Sequence, residues 1–135
     1  MTTPSQESFL HIQDRENLFS GCCRVLKTGG ALGFTDWTST ERLDHAARTF
    51  LADGLAAPRI VSLSEYVSLM QAVGFSDVHA EDLSERWKTI LHERLAMYRS
   101  LEAENVTRVG LDLFDTYIRK YEFFIEQIDI GALGG

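Results

Sequence analysis

Hydrophobic positions recur at helical spacing over most of the chain, and only two short stretches read as strands. Leu18, Phe19, Cys22, Val25 and Leu26 form the first stripe, in a helix predicted from Asp14, its cap, to Lys27. Thr28-Gly29-Gly30 stops that helix with residues that tolerate positive φ. Ala31–Trp37 follows at once as a strand. Ser39 or Thr40 opens a second helix with Leu43, Ala46, Ala47, Phe50 and Leu51 on its apolar side; Gly54 closes it and Pro58 marks the loop beyond. Ser62-Leu63-Ser64-Glu65 has capping-box spacing and starts a third helix carrying Tyr66, Leu69, Met70 and Val73, with Gly74 at its end.

Phe75–Leu83 alternates apolar and polar at its start and is predicted as the second strand. Ser84 caps a long helix striped by Trp87, Ile90, Leu91, Leu95, Tyr98 and Leu101. A break over Asn105–Gly110 separates it from a last helix bearing Leu113, Phe114, Tyr117, Ile118, Tyr121, Phe124, Ile125 and Ile128, and the two should pack as an antiparallel hairpin. The fold class is therefore α+β, mostly helical with two or three short strands, in a single domain over residues 1–135. The order of elements suits a parallel α/β sheet, for which two strands are too few.

Composition narrows the function classes. With 13 Lys+Arg against 20 Asp+Glu the formal charge is −7, which repels phosphate backbones and argues against nucleic acid as a partner. No run of about 18 apolar residues is available to span a membrane. The first residues, Met1–Glu7, lack the basic and apolar regions of a secretory signal, and a cytoplasmic location is expected. Cys22 and Cys23 are adjacent: Cys22 reads as a small core hydrophobe, Cys23 points more toward solvent, and neither has an activating neighbour in sequence.

Ser8-Phe9-Leu10-His11-Ile12-Gln13-Asp14-Arg15, followed by Cys23-Arg24-Val25-Leu26-Lys27-Thr28-Gly29-Gly30-Ala31-Leu32, resembles class I S-adenosylmethionine-dependent methyltransferases of the small-molecule branch. That branch includes sarcosine/dimethylglycine and phosphoethanolamine methyltransferases. Phe34-Thr35-Asp36 resembles the end of the family's fifth strand, Ala72-Val73-Gly74-Phe75 the turn before its sixth, and Gly131-Ala132-Leu133-Gly134 the approach to its seventh. Thr28 stands where the family usually has proline. The resemblance implies the C-terminal half of a Rossmann-like domain, beginning about where the fourth strand would end.

One departure bears on function. Methyltransferases of this class hold their cofactor with a glycine-rich turn after the first strand, and no G-x-G-x-G occurs here. Gly29-Gly30 precedes a strand instead of joining a strand to a helix, so it cannot substitute. No cofactor is expected on the isolated chain, and S-adenosylmethionine only if a partner completes the site.

The resemblance implies that Phe9, Leu10 and His11 lie near donor and substrate; alternatively Phe9 and Leu10 are core and His11 pairs locally. Asp36 and Trp37 end the first predicted strand, at the edge where open α/β sheets bind ligands. An acid beside an aromatic there suits a small apolar or cationic ligand, or else Trp37 packs on the helical hairpin. Phe123 and Phe124 are adjacent, so one of them should face solvent, a partner or a ligand. His45, His79 and His92 have no metal-site spacing.

Three functions follow as expectations: a methyltransferase-related unit without independent catalysis, a small-ligand-binding or oligomerising module, or an amine methyltransferase completed by another chain. A strand lacking its fourth-strand neighbour, with Leu18, Phe19, Phe50 or the Tyr117–Phe124 region uncovered, further predicts a homodimer.

Overall fold

The computed structural model describes residues 2–135, with side chains from Ser5 onward. Its strands are β1 (Thr2–Gln6), β2 (Ala31–Thr35), β3 (Thr38–Ser39) and β4 (Leu133–Gly134). Its helices are α1 (Arg15–Val25), α2 (His45–Leu55), α3 (Leu63–Ala72), α4 (Ser84–Ser100), α5 (Glu102–Val109) and α6 (Leu111–Asp129). The chain is mostly helical with short strands, the class that its periodicity predicts.

β1 and β2 pair in parallel around α1, with Thr2 opposite Ala31 and Gln6 opposite Thr35. This corrects the expectation that the neighbour of β2 is missing: the polar stretch before the Phe9–His11 turn supplies it. Thr2–Gln6 has no apolar alternation, and its pairing is set by the chain packed around it. β3 and β4 pair antiparallel, Thr38 opposite Gly134 and Ser39 opposite Leu133, which ties the end of the chain to the exit of β2.

Local chemistry explains most boundaries. The Asp14 side chain accepts from Asn17 N–H and opens α1. Ser62 does the same for α3 through Glu65 N–H, and Gly74, at φ +107°, lies just past its end. Asp44, not Ser39 or Thr40, caps α2; those two residues are committed to β3 and the turn after it. Gly54 lies inside α2, which stops instead where Ala56 turns left-handed at φ +51°. Ser84 is the first residue of α4, and its N–H and hydroxyl both donate to the Asp82 carboxylate.

Phe75–Leu83 is not a strand: Leu83 N–H donates to the Gly135 carbonyl at its end, but no ladder forms along it among the described residues. Asn105–Val109 is helical, so the break before α6 narrows to Gly110 at φ +84°. α4 and α6 form the expected hairpin. Tyr98 meets Tyr121, Arg99 meets Glu122, and Lys88 and His92 meet Asp129, an antiparallel run of contacts.

Two apolar clusters hold these elements together. The larger joins Leu10, Trp37, Leu51, Leu91, Leu95 and Ile125 and spans α2, α4 and α6. The smaller gathers Phe9, Phe19, Val61, Tyr66 and Met70, with Phe34 packed on it, between α1, α3 and β2. Phe19 is fully buried, contrary to the exposure expected of it, whereas Phe50 and Tyr117 are exposed. Phe123 and Phe124 are both half-buried, because α6 meets two neighbours: Phe123 stacks on Phe50 at 4.3 Å and Phe124 on Trp37 at 4.5 Å. Cys22 and Cys23 are equally half-buried.

Candidate functional site

The Phe9–His11 turn sends consecutive side chains in three directions. Phe9 enters the smaller cluster, its ring 4.8 Å from Phe34 and edge-on to Phe19 at 5.7 Å. Leu10 enters the larger cluster beside Trp37. His11 stays on the surface, where Nδ1 lies 2.9 Å from the Ala56 carbonyl that ends α2. The turn is thus a rivet between the two halves of the core, with an imidazole left at its head.

Asp36 and Trp37 divide in the same way. Trp37 is buried, edge-on to Trp87 at 5.0 Å and tilted against Phe124 at 4.5 Å, so it packs on the helical hairpin. Asp36 is 5% exposed and accepts a 2.5 Å hydrogen bond from the Tyr66 hydroxyl. That hydroxyl accepts in turn from Arg15 Nε at 3.2 Å, and the guanidinium carbon lies 5.5 Å from the Tyr66 ring centroid. Arg15, only 1% exposed, also donates to the Arg59 carbonyl.

The result is a buried relay, Arg15–Tyr66–Asp36. Asp36 Oδ1 and Arg15 Nη1 have no hydrogen-bond partner among the described residues. Burial pushes the Asp36 carboxyl above its ordinary range, against the opposing pull of the Tyr66 hydroxyl and, less, of Arg15. Burial and the adjacent carboxylate push the Tyr66 phenol well up, so it remains a donor.

Sequence reading placed Tyr66 on an apolar stripe and passed over Arg15. The available signal was Arg15 four residues before Phe19, which puts a cation on the helix face that faces the core.

A cleft of about 540 Å³ opens beside this relay. Residues Gly29–Asp36 form one wall and Phe75–Glu81 the other, with Tyr66 and Met70 on the floor and Gly135 at one end. Of the five residues singled out from the sequence, only Asp36 lines it. Phe9, Leu10 and Trp37 are core, and His11 stands apart on the surface. Among the described residues, no group of three or more His, Cys, Asp or Glu converges as a metal site. No helix there is long and apolar enough to cross a membrane.

Comparison with known proteins gives a consistent relationship. No family model matches the chain. It is 33% identical over 86 residues to the sterol 24-C-methyltransferase erg-4 of Neurospora crassa, which covers 59% of this chain and 23% of that protein. It is 28% identical over 91 residues to the phosphoethanolamine N-methyltransferase of Plasmodium falciparum, covering 64% of this chain and 34% of that protein.

The phosphoethanolamine N-methyltransferase 2 of Haemonchus contortus, solved with phosphomonomethylethanolamine and S-adenosylhomocysteine, superposes at a TM-score of 0.90 with 19% identity. That match covers 98% of this chain and 31% of that one, and it bears on the fold. The chain spans roughly a quarter to a third of the length of these three proteins.

The residues present include no G-x-G-x-G turn to cradle a nucleoside-bearing methyl donor. Rossmann-like sites bind such groups at a glycine-rich turn between a strand and the helix of a parallel unit. β1–α1–β2 is the parallel unit found among the described residues; its β2 resembles the family's fifth strand, so its β1–α1 connection, Glu7–Asp14, is not the turn that follows the first strand. Phe9 and Leu10 of that connection are buried in the core.

Proposed function

Since the chain is a relative of methyltransferases that carries part of their length, we propose that it is a methyltransferase unit without methyl-transfer activity of its own. The observation that carries this reading is that no G-x-G-x-G turn joining a strand to a helix occurs in this sequence. Without a preformed cofactor site, donor and acceptor are not held in attack geometry, which forgoes about 7–11 kcal/mol of barrier lowering. A second polypeptide that supplied a glycine-rich turn would bring S-adenosylmethionine, and of Phe9, Leu10, His11, Asp36 and Trp37 only His11 is exposed to meet it.

Two measurements test the proposal. The purified chain should give no radiolabelled methyl transfer to sarcosine, dimethylglycine or phosphoethanolamine, and isothermal titration with S-adenosylmethionine should show no heat of binding. Turnover above background, or saturable binding of the cofactor, overturns it.

A second reading, an oligomerising module, rests on a different observation. Leu101, Val109, Leu111, Leu113 and Tyr117 are all at least 40% exposed and flank Gly110 along the chain, at the tip where α5 gives way to α6. A two-fold contact between two such tips would cover an apolar surface larger than isolated chains usually tolerate. Exchange of α6 about Gly110 is a second way to cover it. Light scattering should report a homodimer at micromolar concentration, and Leu113→Lys should shift it to monomer. A mass near 15.2 kDa for the unaltered chain across a dilution series refutes the dimer.

A further inference from the structure

We infer that the C-terminal end of α2 positions the His11 ring: the Ala56 carbonyl holds the proton on Nδ1, so the neutral imidazole carries its lone pair on Nε2. Ala56 is thereby a positioning residue that acts through its backbone. The inference does not depend on the methyltransferase reading.

The carbonyl owes its direction to a strained turn. Ala56 is left-handed, at φ +51° and ψ +35°, where a helix ordinarily ends on glycine. The turn persists because it is anchored on both sides. The N–H groups of Ala56 and Ala57 both donate to the Leu51 carbonyl, the second at 3.0 Å, and the Leu51 and Ala57 side chains are buried. The Ala56 carbonyl shares a peptide plane with Ala57 N–H and points the opposite way, out from the end of α2.

The imidazole is placed as firmly. Phe9 and Leu10, the two residues before it, are buried in different clusters, and Ile12 N–H closes the turn on the Phe9 carbonyl at 2.9 Å. Nδ1 then lies 2.9 Å from the Ala56 oxygen. A carbonyl oxygen only accepts, so Nδ1 must donate, and a neutral ring with its proton there has none on Nε2. An exposed ring that would otherwise exchange its proton between two nitrogens is left with one fixed acceptor. Whatever approaches Nε2 of the neutral ring, from this protein or another, must bring an N–H or O–H group. A carbonyl or carboxylate there meets lone pair with lone pair.

The test is a long-range proton–nitrogen-15 correlation spectrum of the full chain at about pH 8.5, where imidazoles are neutral. His11→Gln identifies the His11 peaks, and the same chain in urea gives the reference tautomer ratio. The ratio of Nδ1–H to Nε2–H should be about fivefold higher in the folded chain, the effect of one ordinary hydrogen bond. Ala56→Gly, which keeps the left-handed turn, should retain that ratio. Ala56→Ile, whose branched side chain resists the turn, should bring it toward the urea value while circular dichroism still reports the helices. A folded ratio equal to the urea value overturns the proposal, and so does a raised ratio that survives unchanged in folded Ala56→Ile. The comparison of the unaltered chain with its urea reference decides the matter even if Ala56→Ile does not fold.

Discussion

Trp37→Ala should lower the free energy of unfolding by about 3–5 kcal/mol, the range for deleting a large buried aromatic side chain. Few positions join as many elements. The indole sits at the exit of β2, edge-on to Trp87 of α4 and tilted on Phe124 of α6, in the same cluster as Leu10 from the Phe9–His11 turn. Removing it leaves a void lined by groups from three separate parts of the chain, which cannot close without shifting the hairpin. Domains of this kind have about 5–15 kcal/mol to lose, so the variant should approach the limit of folding. Trp37→Phe keeps an aromatic ring in place and should lose less than half as much, which preserves a readout if the alanine variant does not fold. Urea denaturation followed by circular dichroism gives both numbers. A loss below about 1 kcal/mol for Trp37→Ala would mean that the hairpin is not anchored there.

The particular residues show where the sequence was legible. Asp14, Ser62 and Gly74 act through chemistry within four residues of themselves, so their caps and stops could be read directly. The α4–α6 hairpin has long stripes at one period, which are hard to mistake. β1 could not be read, because Thr2–Gln6 owes its pairing to α1 and β2 and has no pattern of its own. Phe75–Leu83 fails in the opposite sense: the pattern is there and the partner is not.

The same logic divides the candidate site. Asp36 and Trp37 were marked by their place at the end of a strand, and both prove to hold the chain together. The contacts that decide this, with Tyr66 and Phe124, come from 30 and 87 residues away. His11 alone kept an exposed functional group. The relay of Arg15, Tyr66 and Asp36 spans three elements, and no local pattern could have assembled it.

That relay carries the second large effect. Arg15→Met should destabilise the fold by about 1–3 kcal/mol at neutral pH, because it takes a buried donor from the Tyr66 hydroxyl and the Arg59 carbonyl and removes a cation that favours the Asp36 carboxylate. The loss should depend on pH, and the sign follows from the carboxyl itself. The folded state already holds the Asp36 proton more tightly than the unfolded chain does. Such a group contributes stability below its unfolded pKa, and that contribution disappears as pH rises through the folded pKa. Arg15 is one of the influences that hold the folded value down, so Arg15→Met lets it rise further.

The penalty should therefore be smaller in acid, where Asp36 is protonated in both states, and grow as the pH is raised to neutrality. Asp36→Asn keeps an acceptor for the Tyr66 hydroxyl while removing the charge, so it should flatten the pH profile. Combined with Arg15→Met, it should recover part of the loss, because the two sites are coupled through one hydroxyl. Urea midpoints for the four proteins at pH 3 and pH 7.5 test this. A loss in Arg15→Met that is the same at both pH values, or a double variant whose losses simply add, would show that Asp36 does not carry its charge against Arg15 in the folded chain.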